Sequence, residues 1–146
     1  MNSMKSEYLK DFEVNIKLKL AFLWVAVMFC YVYGDYFELY VPEKVSGLLS
    51  GNNLLNSPMK LFLASILMTI PALMTYLSLT LKPKVSKLLN IIFGTFFTVV
   101  MVFIAGISIS LWRTFYIYLS VVEIILTIII VWSALRWPKL SIKNEI

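Results

Sequence analysis

One acidic residue, Glu123, interrupts an otherwise apolar run that reads Val121-Val122-Glu123-Ile124-Ile125-Leu126. It follows Trp112 by 11 residues and precedes Trp137 by 14. On a helix it therefore lies about 17 Å from one aromatic and about 21 Å from the other. If those tryptophans mark the two membrane surfaces, Glu123 is close to the bilayer midplane. An ionised carboxylate there costs about 3 kcal/mol or more, so it must be paired, hydrated or protonated. The chemistry such a group can do is to bind and release a proton or a small cation.

Ser120 and Thr127 stand three residues before and four after Glu123, on the same helical face as Ala134. Asp35 and Glu38 belong to an earlier apolar run, about 10 Å and 6 Å short of the Pro42 that closes it. Arg113 is at a similar level, on the turn before the last run. Two arrangements are open. Glu38 or Asp35 pairs with Arg113 as a plain structural ion pair. Alternatively, Asp35 and Glu123 form a proton or cation relay below a polar vestibule, with Ser120 and Thr127 beside it and Pro71 as a hinge.

Other chemistry is poorly served. The chain has no histidine and one cysteine, Cys30, inside an apolar run. A disulfide within the chain is excluded, and zinc, haem and iron–sulfur centres need more ligands than this. No metal or cofactor is expected. No nucleophile elbow, zincin helix, phosphate loop or dinucleotide glycine pattern occurs, so an enzyme is not expected. The net charge of +5 comes from cations at the ends of apolar runs, not from a basic surface interleaved with aromatics, so no nucleic-acid partner is expected.

The composition says what positions these residues. Of 146 residues, 60% are hydrophobic and 14% charged, and the mean hydropathy is +0.86. Soluble domains hold about 45–50% apolar and about 25% charged residues, and a soluble chain of this size cannot hide such an excess. The solvent must be lipid, and the expected partner is a bilayer. Four spans are predicted, at 18–40, 59–81, 88–111 and 114–137. Ser57-Pro58 opens the second as cap and first helical residue, and Ser86 is a plausible cap for the third. Pro71 falls inside the second span, where it removes a hydrogen bond to the Leu67 carbonyl. The polar lead runs into the first span without a small-residue cleavage site, so no cleavable signal peptide is expected.

With the N-terminus inside, the cytoplasmic cations are Lys5, Lys10, Lys17, Lys19, Lys82, Lys84, Lys87, Arg136, Lys139 and Lys143. Those outside are Lys44, Lys60 and Arg113. Ten against three predicts both termini in the cytoplasm. Two tight turns predict that spans two, three and four are antiparallel neighbours. The loop 42–57, with paired leucines between glycines, is either a segment lying on the membrane surface or bundle, or a flexible connector. Tyr8, Leu9, Phe12 and Ile16 share one helical face, which predicts a short interfacial helix before the first span. Small and polar residues also form stripes at Ala26, Cys30, Gly34 and Glu38, and at Gly94, Thr98, Ala105 and Ser108. Such stripes let membrane helices approach closely.

Several segments together resemble a known family. They are Met28-Phe29-Cys30-Tyr31-Val32-Tyr33-Gly34-Asp35, Leu67-Met68-Thr69-Ile70-Pro71 and Asn90-Ile91-Ile92-Phe93-Gly94. The most distinctive is the ending Ile130-Val131-Trp132-Ser133-Ala134-Leu135-Arg136-Trp137-Pro138. They are similar to a group of small bacterial four-span membrane proteins known only as a domain of unknown function. The resemblance implies a multi-pass protein of the bacterial inner membrane and supplies no activity. The expected fold is an all-α membrane protein, an antiparallel four-helix transmembrane bundle with a short N-terminal interfacial helix. The expected activity is that of a small ion- or proton-coupled transporter or permeation protein working as a homo-oligomer. The competing reading is a non-transporting structural or regulatory subunit. No small ligand is identifiable.

Overall fold

Lipid cannot hydrogen-bond a backbone, so a chain this apolar must satisfy its amides within each segment. The computed structural model of the protein describes residues 12–138 and contains helices and no strand among them. In chain order the helices are α1 (Ile16–Glu38), the short α2 (Lys44–Leu49), α3 (Pro58–Thr80), α4 (Pro83–Ile107) and α5 (Thr114–Leu135). A 3-10 turn at Leu111–Arg113 leads into α5. Four helices are long and apolar enough to cross a membrane. The shortest of them spans about 33 Å, against a hydrocarbon core of about 30 Å. Only 17–22% of each span's apolar window is buried inside the bundle. Most apolar side chains therefore face outward, the reverse of a water-soluble fold.

Local chemistry fixes the helix ends. The Asn15 side chain accepts the Lys17 amide at 2.9 Å and caps α1. The Ser57 hydroxyl accepts the Lys60 amide at 3.3 Å, and Pro58 takes the first helical position of α3. Pro83 opens α4 five residues before the expected Leu88. Proline at a first helical position arrives with the right φ and has no N–H to satisfy, so it starts a helix without a hydroxyl cap. Ser86 is consequently not a cap but lies inside α4, where its hydroxyl donates to the Ser78 carbonyl at 3.3 Å. α4 also ends at Ile107, earlier than expected, and the 3-10 turn follows. The expected interfacial helix falls partly on residues 8–11, which lie outside the described residues. Phe12 to Asn15 are not helical.

The connector between α1 and α3 folds on itself. α2 buries no residue, and a β-carbon on Gly47 would come within 2.9 Å of the Asn52 carbonyl oxygen. Only glycine allows the chain to return that closely. Leu49 and Leu54 are left almost fully exposed.

Around the bundle the order is α3, α1, α5, α4. α1 packs along both α3 and α5, and α4 packs along α5, while α3 and α4 touch less despite their two-residue turn. The core gathers Leu20, Trp24 and Val27 of α1 with Met74, Phe97 and Ile130. Trp24 meets Phe97 edge-on at 6.0 Å. At one end of the bundle, lysines close helix termini whose last carbonyls lack partners. Lys17 Nζ donates to the Leu79 and Leu81 carbonyls at 3.1 and 2.6 Å, and Lys87 Nζ to that of Leu135 at 3.2 Å.

The closest helix approach is at Gly94. A β-carbon there would lie 2.7 Å from Val131 Cγ2 and 3.5 Å from the Thr127 carbonyl oxygen. Val131 is stiff at χ1 and cannot swing away, so Gly94→Ala must push α4 from α5. We expect Gly94→Ala to destabilise the detergent-solubilised protein by about 1–3 kcal/mol. Gly106→Ala should be neutral or slightly stabilising, because a β-carbon added there would meet nothing within 4 Å. Unfolding titrations of the two variants side by side check this; equal stability would refute the close contact.

Candidate functional site

Two polar layers interrupt the apolar interior, and they differ in how well they are satisfied. The first lies near the α3–α4 turn and centres on Asn90, which is fully buried. Trp24 Nε1 donates to Asn90 Oδ1 at 2.8 Å. Indole can only donate, so this bond fixes which way the amide faces. Asn90 Nδ2 then donates to the Ser86 carbonyl at 2.8 Å and to Ser78 Oγ at 3.1 Å. The layer ties α1, α3 and α4 together and leaves the amide no free valence for a ligand.

The second layer is at the α1–α5 seam and contains Glu123. Its residue is 2% exposed. Nine residues separate it from the start of α5 and twelve from its end, about 14 Å and about 18 Å. Its Oε2 is buried and has no hydrogen-bond partner among the described residues, and neither has the buried Tyr31 hydroxyl. Both side chains line one void of about 10 Å³, together with Cys30, Gly34, Tyr116, Leu119 and Ser120. Tyr31 is held there by its ring contact with Phe97 at 6.0 Å. A stranded buried polar atom costs about 1–3 kcal/mol, more if it is charged. No cation reaches Glu123 among the described residues.

The other predicted residues stand in different relations to this void. Ser120 lines it, with its hydroxyl donating back to the Tyr116 carbonyl at 2.8 Å. Thr127, one turn on, bonds to the Glu123 carbonyl at 2.9 Å and meets Thr98 Oγ1 of α4 at 2.8 Å. Asp35 is exposed and makes no hydrogen bond or ion pair among the described residues. Glu38 ends α1, where its Oε1 takes Lys44 Nζ at 2.8 Å and Arg113 Nη2 at 3.1 Å. Lys44 and Arg113 keep side-chain exposures of 29% and 40%, so each pair contributes little, about 0–1 kcal/mol. Their effect is to tie α2 and the start of α5 to the end of α1.

Pro71 is apart from all this. It is buried in α3, which stays helical through it and packs on α1 and α4 rather than α5. A larger hollow, about 240 Å³, is also elsewhere. It lies between α1 and α3, lined by Val25, Met28, Phe29, Val32, Ala72 and Thr75, and is almost wholly apolar. The residues that sequence reasoning missed are Tyr31 and Tyr116. Tyr31 is one of several tyrosines on α1, and only packing distinguishes the one whose hydroxyl is buried. Among the described residues, no three His, Cys, Asp or Glu side chains converge as metal ligands would.

A carboxyl kept for packing and one kept for chemistry respond differently to replacement. Since Oε2 gains nothing from the protein, Glu123→Leu should leave stability unchanged or raise it by about 1–3 kcal/mol. A fall of more than about 1 kcal/mol in a denaturant titration would mark Glu123 as a structural residue.

No curated protein and no solved structure matches the chain. Residues 8–144 do match the family of unknown function DUF6326. Spanning nearly the whole sequence, that match makes the chain a member of this family.

Proposed function

We propose that this protein is a small proton-coupled transport or permeation protein in which Glu123 is the proton-binding group. The observation that carries the reading is Glu123 itself, a buried mid-bundle carboxyl without a cation and with one oxygen unpartnered among the described residues. Such a group is costly to the fold, and intramembrane carboxyls that persist at that cost mark ion and proton paths. Asp35, exposed on α1 and unpaired among the described residues, is the group through which protons reach it from the end of the bundle that carries α2. The space at Glu123 within one copy is only about 10 Å³, about enough for one water. Passage of anything larger than a proton therefore needs a path between copies, and the working form is a homo-oligomer. No enzymatic step is part of this reading.

A second reading, a non-transporting structural or regulatory subunit, is favoured by that same small void and by the closed hydrogen bonding at Asn90. Flux decides between them. Purified protein in proteoliposomes should dissipate an imposed pH gradient, and Glu123→Gln at equal incorporation should slow it by at least about tenfold, a barrier increase of about 1.4 kcal/mol. Equal rates for wild type and Glu123→Gln would leave the structural reading standing.

The family resemblance and the clustering of lysines at one end of the bundle support a bacterial inner-membrane protein with both termini in the cytoplasm. Reporter fusions active only in the cytoplasm should give signal at both termini. Signal lost at either end would overturn this orientation.

A further inference from the structure

We infer that the void at the α1–α5 seam is a binding site for a single water molecule that joins Tyr31 to Glu123 as one hydrogen-bonded unit. Two independent observations converge on it. The Tyr31 hydroxyl and Glu123 Oε2, on different helices, are both buried and both lack a partner among the described residues. They line the same void, whose volume of about 10 Å³ is close to the minimum that holds a water. Buried polar atoms are nearly always satisfied by protein or by ordered water. Two side chains that line one water-sized space, each carrying an orphan polar atom, can supply the at least two polar partners a water requires. The Ser120 hydroxyl, which donates to the Tyr116 carbonyl, still has a lone pair for a third contact.

The chemistry of the partners sets the direction of the bonds. A phenol at this site donates to the water, and the water donates to the carboxylate oxygen. When Glu123 is protonated, the carboxyl donates and the water turns to accept. Besides Glu123, the residues lining the void that carry titratable protons are Cys30 and Tyr31 from α1 and Tyr116 from α5, and Asp35 follows the lining Gly34 in sequence. No α4 residue lines the void among the described residues; the Thr98 hydroxyl of that helix is engaged with Thr127, one turn from Glu123. Tyr31 is thus a positioning residue, since it orients the water that receives or returns the proton of Glu123.

The inference rests on the reading of Glu123 as a protonatable group, and infrared difference spectroscopy of the full chain across a pH titration separates the two. Glu123→Gln assigns the carboxyl band. Two variants that keep the fold test the water. Tyr31→Phe removes the donor and retains the ring contact with Phe97. Gly34→Ala adds a methyl among the atoms lining the void, at ordinary contact distances of 3.6 Å to Tyr116 and 3.7 Å to Leu119. The expected result is one water O–H stretch that shifts on exchange into H2 18O and is lost in Gly34→Ala. Tyr31→Phe should shift both that stretch and the Glu123 carboxyl band. An O–H stretch absent from wild type, or unchanged in Gly34→Ala, overturns the water site. A band that moves instead with added sodium, potassium or ammonium also overturns it, by assigning the space to a cation. If no carboxyl band of Glu123 appears at any pH, the protonation reading fails, while the isotope-sensitive O–H stretch still decides the water.

Discussion

The interaction on which the arrangement of helices depends is the hydrogen bond from Trp24 to Asn90. In a lipid solvent, apolar side chains gain nothing by meeting each other instead of acyl chains, so burial alone cannot choose a neighbour order. A carboxamide on a spanning helix can choose one, because it must find donors and acceptors inside the protein. Asn90 finds them on α1 and α3 and on its own helix, at the diagonal of the bundle. Once Trp24 is fixed there, the indole ring reaches Phe97. The α1 face that continues through Val27 and Tyr31 is then turned toward the interior. The geometry at Glu123, more than three turns of α5 from the lysine-rich end, follows from that rotation of α1.

The two polar layers make a useful contrast. At Asn90 every hydrogen-bonding valence of the amide has a protein partner. At Glu123 the helix backbone is well served by Ser120 and Thr127, whose hydroxyls fold back on α5, but the carboxyl itself is not. Within one small bundle, the same lipid constraint has been met fully in one place and left open in the other. An unsatisfied group in an otherwise consistent fold is where function departs from stability.

Four spans, their caps at Ser57-Pro58 and the inward face of α5 were legible in the sequence. Hydropathy, proline chemistry and helical periodicity are local signals, and each survives without knowledge of the partner helix. The start of α4 was not legible, because Pro83 and Ser86 are both credible helix openers and the hydroxyl is the more familiar cue. That ambiguity hid Asn90, which reads as an edge residue if the span starts at Leu88 and as a buried one two turns inside if it starts at Pro83. The neighbour order was only partly legible too. A two-residue turn keeps α3 beside α4 at one end, but it does not say that α3 packs mainly on α1. Glu123 announced itself by type and position. Tyr31 did not, because the burial of one tyrosine hydroxyl among several depends on how α1 is rotated against α5.

The lysines at the closed end of helices α3 and α5 carry a consequence for how the protein is made. Lys17 reaches a carbonyl that lies 64 residues further along the chain. On a ribosome emitting its product into a membrane, that ammonium cannot reach this acceptor until the second long helix has entered. Until then the ammonium has no carbonyl of α3 to close. When that helix arrives, the one side chain joins the first two long helices at their shared end. The order in which the chain emerges thus sets the earliest moment at which this clasp can form.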